Sequence, residues 1–176
     1  MVAELDRKPL VRHVAEAALA SRARPVLVVV GHAAAKSTAA LAGLDVGFVH
    51  AVDFDAGLSR SLRAGLAAVP ESAAAALVLL ADMPCVSARL IDRLIEAFDT
   101  AAAPLAVVPV HAGRRGNPVL IGRKLFSAIG ALEGDRGASQ ILGATAGVVE
   151  YSVEDAAVTV DIDTQEDLFR LNSGRR

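Results

Sequence analysis

An aspartate that ends an apolar run is the first candidate for chemistry in this chain. Asp82 follows the run Leu77–Leu80 and precedes Met83 and Pro84. A short continuous apolar run predicts a strand covered on both faces, and open parallel sheets bind ligands outside the carboxyl ends of their strands. By itself Asp82 equally fits a cap of the turn at Pro84, where a proline breaks the strand. A second acidic strand end favours the interpretation as a binding site.

That second acidic end is the sequence DIDTQEDL. Asp161 and Asp163 are two residues apart on the predicted strand Val158–Asp163, so both side chains project to one face. Thr164 and Asp167 predict a capping box that starts a helix. Two acidic strand ends in one crevice repel each other unless a cation lies between them, and Mg2+ accepts one or two carboxylates together with phosphate oxygens and water. The alternative is that one of the two aspartates only caps the helix or is solvated.

Alternating periodicities predict the elements that position these aspartates. Short apolar runs predict strands, and segments of helical periodicity lie between them. The predicted strands are Arg24–His32, Val46–Ala51, Ala76–Asp82, Pro104–Val110, Asn117–Ile121, Gly147–Val153 and Val158–Asp163, and the predicted helices are Pro9–Ser21, Ala56–Val69 and the segment that Ser87 caps. This order predicts an α/β fold, a Rossmann-like three-layer sandwich with a mostly parallel sheet, as a single domain over residues 1–176.

Two parts of the pattern depart from a regular doubly wound sheet. The glycine-rich loop His111–Pro118 predicts an antiparallel pair near the edge of the sheet. A doubly wound sheet begins with a strand whose following loop binds the ligand, whereas here the helix Pro9–Ser21 opens the pattern. The first strand is therefore expected to be missing.

Composition excludes several classes of function. The 176 residues carry a net charge of −2 with scattered basic residues, which argues against nucleic acid as a partner. No apolar run approaches the roughly 20 residues of a membrane span, and the charged first residues do not resemble a signal peptide. Cys85 is the single cysteine, so an internal disulfide and a cysteine-based zinc site are excluded. These features predict a cytoplasmic protein.

The motifs of this chain resemble those of the MobA-like nucleotidyltransferases, and in particular those of the molybdenum cofactor cytidylyltransferases. The resemblance lies in LLADMPCV, GLSRSLRAGL, GNPVLI, GDRGASQIL and DIDTQEDL, which follow one another in the family's order and cover nearly the whole chain. It implies the fold of the nucleotide-diphospho-sugar transferases. It also implies transfer of CMP from CTP to the phosphate of molybdopterin, with release of pyrophosphate. The partners would be CTP, molybdopterin and a molybdoenzyme or its chaperone, with no nucleic acid and no membrane.

The resemblance also assigns roles to residues. Asp82 would be the catalytic aspartate and the principal Mg2+ ligand, and Asp161 and Asp163 would supply the second carboxylate. In GLSRSL, Gly57 would permit close approach of the nucleotide and Ser61 would bind the base. Ser59 belongs to the same nucleotide-binding motif, although on the residues alone both serines fit the exposed start of a helix.

Substrate binding is expected in two further segments. Arg114 and Arg115 have the guanidinium geometry that clamps phosphate, and a solvated loop is the equal alternative. Asn117 stands where the family usually carries His, and it cannot titrate near neutral pH. In the segment with Asp135 and Arg136, the family's following Arg is replaced by Ser139, and Arg136 is the expected substitute.

The largest departure from the family is at the amino end. Family members open with a strand and a loop close to LAAGxSxRMGxxK, whose backbone amides, Arg and Lys bind the triphosphate. No such motif precedes LDRKPLVRH here. Three explanations stay open: a gene start placed too far downstream, a trimmed sequence, or loss of the loop together with the activity. For the 176 residues alone the expectation is weak or absent turnover. The alternatives are a transferase with GTP or another phosphate acceptor and an inactive remnant that binds nucleotide.

Overall fold

The computed structural model describes residues 4–31, 34–51, 58–132, 138–162, 164 and 166–169. Its strands are β1 Glu4–Leu5, β2 Lys8–Pro9, β3 Leu27–Val30, β4 Gly47–His50, β5 Ala75–Val78, β6 Ala106–His111, β7 Arg114–Arg115, β8 Val119–Gly122 and β9 Val148–Ser152. Its helices are α1 Leu10–Ala20, α2 Ala34–Ala40, α3 Leu58–Ala67, α4 Ala88–Thr100, α5 Phe126–Gly130 and α6 Ser139–Ala144, with 3-10 turns at Arg123–Leu125 and Ala156–Thr159.

The main sheet has five strands and mixed direction. Strand β8 pairs antiparallel with both β5 and β6, and β6 pairs parallel with β9 and antiparallel with the short β7. Strands β5, β6 and β9 therefore run in one direction and end at the same edge of the sheet, which we call the carboxyl edge. Strand β8 begins at this edge, so the loop before it lies there as well.

Strands β3 and β4 form a separate parallel pair, with Val28 opposite Phe48 and Val30 opposite His50. A third pair, β1 with β2, is an antiparallel hairpin whose two turn residues, Asp6 and Arg7, have positive φ angles. Among the described residues, no strand pairing joins β3 to β5.

Two hydrophobic clusters cover the two faces of the main sheet, because successive side chains of a strand point to opposite faces. Val107 and Leu120 face a cluster that includes Leu90, Ile91 and Leu94 of α4. Ala106, Val108, Val119 and Ile121 face a second cluster, which includes Leu66 of α3, Ile129 of α5 and Leu142 of α6. Helices on both faces make three layers, as the alternation of elements predicts.

The α/β class is confirmed, and so is the antiparallel pair that the loop His111–Pro118 joins, because β8 runs antiparallel to β6 and lies next to β5, the last strand of the described sheet. One detail of the prediction is wrong. The segment Val158–Asp163 is not a strand in its described part, because a 3-10 turn that the Asp155 carboxylate caps occupies Ala156–Thr159. None of the helices in the described part of the chain is long and apolar enough to cross a membrane.

Candidate metal and nucleotide site

Asp82 lies in a turn at the carboxyl edge, four residues after the last paired residue of β5. Burial of the residues that follow fixes this turn: Met83 is 2% exposed and Val86 is in the core beside α4. Ser87 then caps α4, and its hydroxyl accepts a hydrogen bond of 3.2 Å from the Leu90 amide. One carboxylate oxygen of Asp82 is buried, so the charge of this side chain lies partly out of water.

The segment 158–162 crosses the carboxyl edge and brings the second acidic group to Asp82. At one end, the Val158 carbonyl accepts a hydrogen bond of 2.8 Å from the Asn117 amide, just before β8. At the other end, the Ile162 amide donates to the Asp82 carbonyl at 2.9 Å. Asp161, which directly precedes Ile162, is exposed to solvent. The structure therefore brings Asp82 and Asp161 to one place, as the sequence predicts; Asp163 lies outside the described residues.

The capping box after this segment is confirmed. The Thr164 amide and hydroxyl both donate to the Asp167 carboxylate, at 2.9 and 2.6 Å, and the Asp167 amide donates to the Thr164 hydroxyl at 3.2 Å. Asp167 therefore caps the helix. Among the aspartates of DIDTQEDL that the structure describes, Asp161 remains as the candidate metal ligand.

The first turn of α3 contains the predicted nucleotide-binding serines. Ser59 is 1% exposed, and its hydroxyl has no hydrogen-bond partner among the described residues. Ser61 is half-buried. The alternative of an exposed helix start is thus wrong for Ser59. Gly57 lies outside the described residues.

The two arginines of the loop between β6 and β8 have different surroundings. Arg115 donates to the Glu150 carboxylate at 2.7 Å and to the Leu142 carbonyl at 3.3 Å, so it ties the loop to β9 and to the end of α6. Arg114 is exposed. Of the two arginines predicted to clamp phosphate, only Arg114 has a side chain without a contact among the described residues. Asp135 and Arg136 lie outside the described residues.

Tight packing holds Asn117 at the edge. A Cβ atom on the preceding Gly116 would lie 2.0 Å from the Val158 carbonyl oxygen, so only glycine fits there. The half-buried Asn117 is tied to the segment 158–162 through its amide. The backbone of Asn117 is therefore fixed against the start of the segment that leads to Asp161.

Two further residues lie beside the site. His111 ends β6 at the same edge, and its Nδ1 lies 3.2 Å from the Val153 carbonyl. The fully buried Leu5 of the amino-terminal hairpin packs against Ile162. The predicted strand Pro104–Val110 stops one residue before His111, and this position alone indicates that the His111 side chain lies at the edge of the sheet. Sequence reasoning missed the hairpin, because its turn has no glycine and so carries no hairpin signal.

Nothing in the described part of the chain groups three or more His, Cys, Asp or Glu side chains as a metal site. The donors present are carboxylate oxygens of two neighbouring segments. Such hard donors suit Mg2+ or Mn2+, which keep part of their shell as water and phosphate oxygens. The residues present therefore fit a weakly held divalent cation that a phosphate ligand completes.

Comparison with solved structures finds close similarity in fold. Rv0371c from Mycobacterium tuberculosis H37Rv, in a complex with manganese, is 27% identical with a TM-score of 0.80, and the match covers 97% of this chain and 89% of that one. Its homolog from Mycobacterium sp. strain JC1 is 27% identical with a TM-score of 0.80, and the match covers 98% and 86%. A nucleotidyl transferase from Methanothermobacter thermautotroptrophicus is 23% identical with a TM-score of 0.80, and the match covers 98% and 83%.

No curated protein matches the chain. The model of the MobA-like NTP transferase domain matches residues 1–149. This match covers most of the 176 residues, and the fold and the order of elements agree with it. The chain therefore belongs to the MobA-like NTP transferase family and carries a nucleotidyltransferase-like domain.

Proposed function

We propose that this protein transfers CMP from CTP to the phosphate of molybdopterin, with Mg2+ as the cofactor and pyrophosphate as the second product. The family assigns a nucleotidyltransferase-like domain, and the cytidylyl and molybdopterin specificity is our extension from the motif GLSRSL and its neighbours. The observation that carries the proposal is the hydrogen bond of 2.9 Å between Ile162 and Asp82, because it brings two acidic segments together at the carboxyl edge.

Asp82 would hold the metal, and Asp161 or Asp163 would supply the second carboxylate. The cation supplies positive charge that offsets the phosphates of the two reactants. The manganese complex of Rv0371c supports a divalent cation in a chain of this fold. The partial burial of the Asp82 carboxylate strengthens its attraction for a cation, because screening by water is weaker there.

The proposed reaction is an in-line displacement. An oxygen of the molybdopterin phosphate forms a bond to the α-phosphorus of CTP, and the bond between the α-phosphorus and the bridging oxygen to the β-phosphorus breaks. Pyrophosphate leaves with that oxygen and its electron pair. The attacking phosphate is already ionised at neutral pH, so no side chain has to act as a general base. This agrees with an asparagine at position 117 in place of a titratable histidine.

The nucleotide would bind beside α3. The hydroxyl of Ser59 is buried without a partner among the described residues, and a buried polar group without a hydrogen bond is destabilising. A nucleotide group that reaches this hydroxyl would satisfy it. Ser61 would hydrogen-bond the base, and we extend base binding to Gly57 of the same motif. On the acceptor side, Arg114 is the loop cation we assign to phosphate. We extend the same role to Arg136 and propose Asp135 as a further substrate-binding residue.

Pyrophosphate release tests the proposal. The protein is assayed with CTP, GTP, ATP and UTP, each with molybdopterin, a sugar phosphate or a polyol phosphate as acceptor, in the presence and absence of Mg2+. We expect release that requires Mg2+ and is fastest with CTP and molybdopterin. Faster release with GTP or with another acceptor would overturn the specificity. Binding of triphosphates without release, under every combination, would instead support a non-catalytic nucleotide-binding protein.

A further inference from the structure

Strands β6 and β7 form a tight hairpin. Its two turn residues, Ala112 and Gly113, have φ angles of 47° and 77°, which is the pattern of a two-residue type I′ turn. The strand register places His111 directly opposite Arg114. Side chains of directly opposite residues project from the same face of an antiparallel pair, with Cβ atoms roughly 5 Å apart. His111 and Arg114 therefore share one face of the β6–β7 hairpin, and Arg115 projects from the other face.

The two arginines of this hairpin differ in how their charges are compensated. Arg115 donates to the Glu150 carboxylate at 2.7 Å, so its charge is paired. Arg114 is exposed, and no carboxylate of the described chain forms an ion pair with it. The face shared by His111 and Arg114 thus carries a positive charge that no described group offsets.

The His111 ring is held in one orientation. It is half-buried, and its Nδ1 lies 3.2 Å from the Val153 carbonyl oxygen. A carbonyl oxygen only accepts hydrogen bonds, so Nδ1 carries the hydrogen and donates it. The other ring nitrogen, Nε2, has no hydrogen-bond partner among the described residues. Nε2 is therefore available to a ligand, to which it donates a hydrogen bond when the ring is protonated.

The face that carries His111 continues the α4 face of the main sheet. Alternate residues of a strand share a face, so His111 lies on the side of Val107, which packs in the cluster with α4. Val158 belongs to the same cluster, and its carbonyl accepts from the Asn117 amide just after the hairpin. Three residues further along, this segment reaches Asp161. Strand β6 is two strand spacings, roughly 10 Å, from β5, whose end leads to the candidate metal site.

We propose that His111, together with Arg114, binds the phosphate of the acceptor. This inference rests on the proposed function, because it takes the metal site beyond β5 as the place of reaction. Two cationic groups on one face repel each other, and an anion between them removes this repulsion. Phosphate oxygens accept hydrogen bonds from a guanidinium group and from Nε2–H at the same time. An acceptor phosphate bound by this pair approaches the metal from the side of β6.

NMR of the protein labelled with 15N in histidine tests the proposal. Inorganic phosphate is the probe, and the samples contain no nucleotide. The His111 ring signals are identified by their absence from the spectrum of His111→Gln. We expect phosphate to shift these signals in a saturable way. The signals of His13, whose Nε2 lies 3.0 Å from the Leu5 carbonyl oxygen, serve as the internal control and should not shift.

Two matched variants assign the binding to one face of the hairpin. Arg114→Gln should weaken phosphate binding at least about tenfold, because it removes a charged donor. Arg115→Gln makes the same chemical change on the opposite face and should change the affinity by less than about twofold, since an exposed ion pair contributes little. Equal thermal midpoints of the two variants show that both keep the fold. An unshifted His111 signal, or equal weakening by the two variants, would overturn the proposal.

A kinetic measurement separates this proposal from the proposed reaction. If CMP transfer is found, His111→Gln should raise the KM for molybdopterin at least about tenfold and leave the KM for CTP unchanged. An unchanged KM for molybdopterin would overturn the role of His111 while the reaction stands. Phosphate binding at His111 without any pyrophosphate release would support the binding pair and refute the reaction. CTP that shifts the His111 signals more strongly than phosphate does would overturn the assignment to the acceptor.

Discussion

Replacement of Asp82 by asparagine is the sharpest test of the metal site. The two side chains have almost the same shape, and the hydrogen bond from Ile162 goes to the Asp82 backbone carbonyl, so the turn should keep its structure. Only the charge and one acceptor oxygen change. We expect Asp82→Asn to fold normally and to lose Mg2+-dependent binding of CTP.

The size of the loss follows from the charges. A carboxylate and a divalent cation roughly 4 Å apart attract each other by about 2 kcal/mol even in the dielectric of water, which corresponds to roughly 30-fold in affinity. One oxygen of the Asp82 carboxylate is buried, which lowers the effective dielectric and strengthens this attraction. Isothermal titration of CTP with and without Mg2+ measures the effect directly.

Asp99→Asn is the matched control. It makes the same chemical change on an exposed residue of α4, 11 residues beyond the first residue of that helix. At 1.5 Å per residue this places Asp99 about 16 Å along the helix axis from the end next to Asp82. Mg2+-dependent affinities of Asp82→Asn and Asp99→Asn that agree within a factor of three, with equal thermal midpoints, would show that Asp82 does not bind the metal.

Three further predictions concern other residues. Ser59→Ala should leave stability in urea unchanged or raise it, because it removes a buried hydroxyl without a described partner. The same variant should weaken CTP binding. Unchanged binding would show that Ser59 is not part of the site. Gly116→Ala should destabilise the fold by about 2 kcal/mol or more in urea unfolding, because the new Cβ would lie 2.0 Å from a carbonyl oxygen. The control Gly143→Ala, whose Cβ would meet no atom within 4 Å, should not destabilise the fold. Equal unfolding midpoints of the two variants would refute this packing. A hydrogen bond from Lys8 lowers the pKa of Glu16. The stability that this interaction adds is present above the ordinary glutamate pKa of about 4.3 and is lost as the pH falls through the lower pKa of the folded state. Glu16→Gln should therefore slightly flatten this part of the acid unfolding curve, and an unchanged curve would contradict the assignment.

Local signals in the sequence predicted local structure well. Ser87 is followed by apolar residues at helical spacing, and this pattern correctly predicted α4. The Ser87 hydroxyl caps the helix as expected. The capping box of Thr164 and Asp167 formed for the same reason, since both partners lie within one turn. The seven residues of α2 were missed because AAKSTAA has no apolar stripe, and its alanines read as compositional bias.

Pairing order could not be read from the sequence. The run NPVLI predicts a strand, but its place between β5 and β6 depends on contacts with residues more than forty positions away along the chain. The failed strand prediction at Val158–Asp163 has a local cause: the carboxylate of Asp155 accepts from the Ala157 amide and starts a 3-10 turn. The Ile162 amide donates to the Asp82 carbonyl, so the two acidic segments are neighbours, and a metal shared by Asp82 and Asp161 stays a prediction. The part of the site at Gly57, Asp135, Arg136 and Asp163 stays a prediction.

The two halves of the proposed site depend on different parts of the fold. Asp82 is held from the core side by Met83 and from the edge by Ile162. Ser59 stands on α3, which bridges β5 and the separate pair β3–β4. Separate parts of the described fold thus position Asp82 and Ser59, so their contributions to CTP binding should be independent. It follows that the double variant Asp82→Asn, Ser59→Ala should weaken Mg2+-dependent CTP binding by about the product of the two single effects, and a clear departure from that product would show that the two side chains act together.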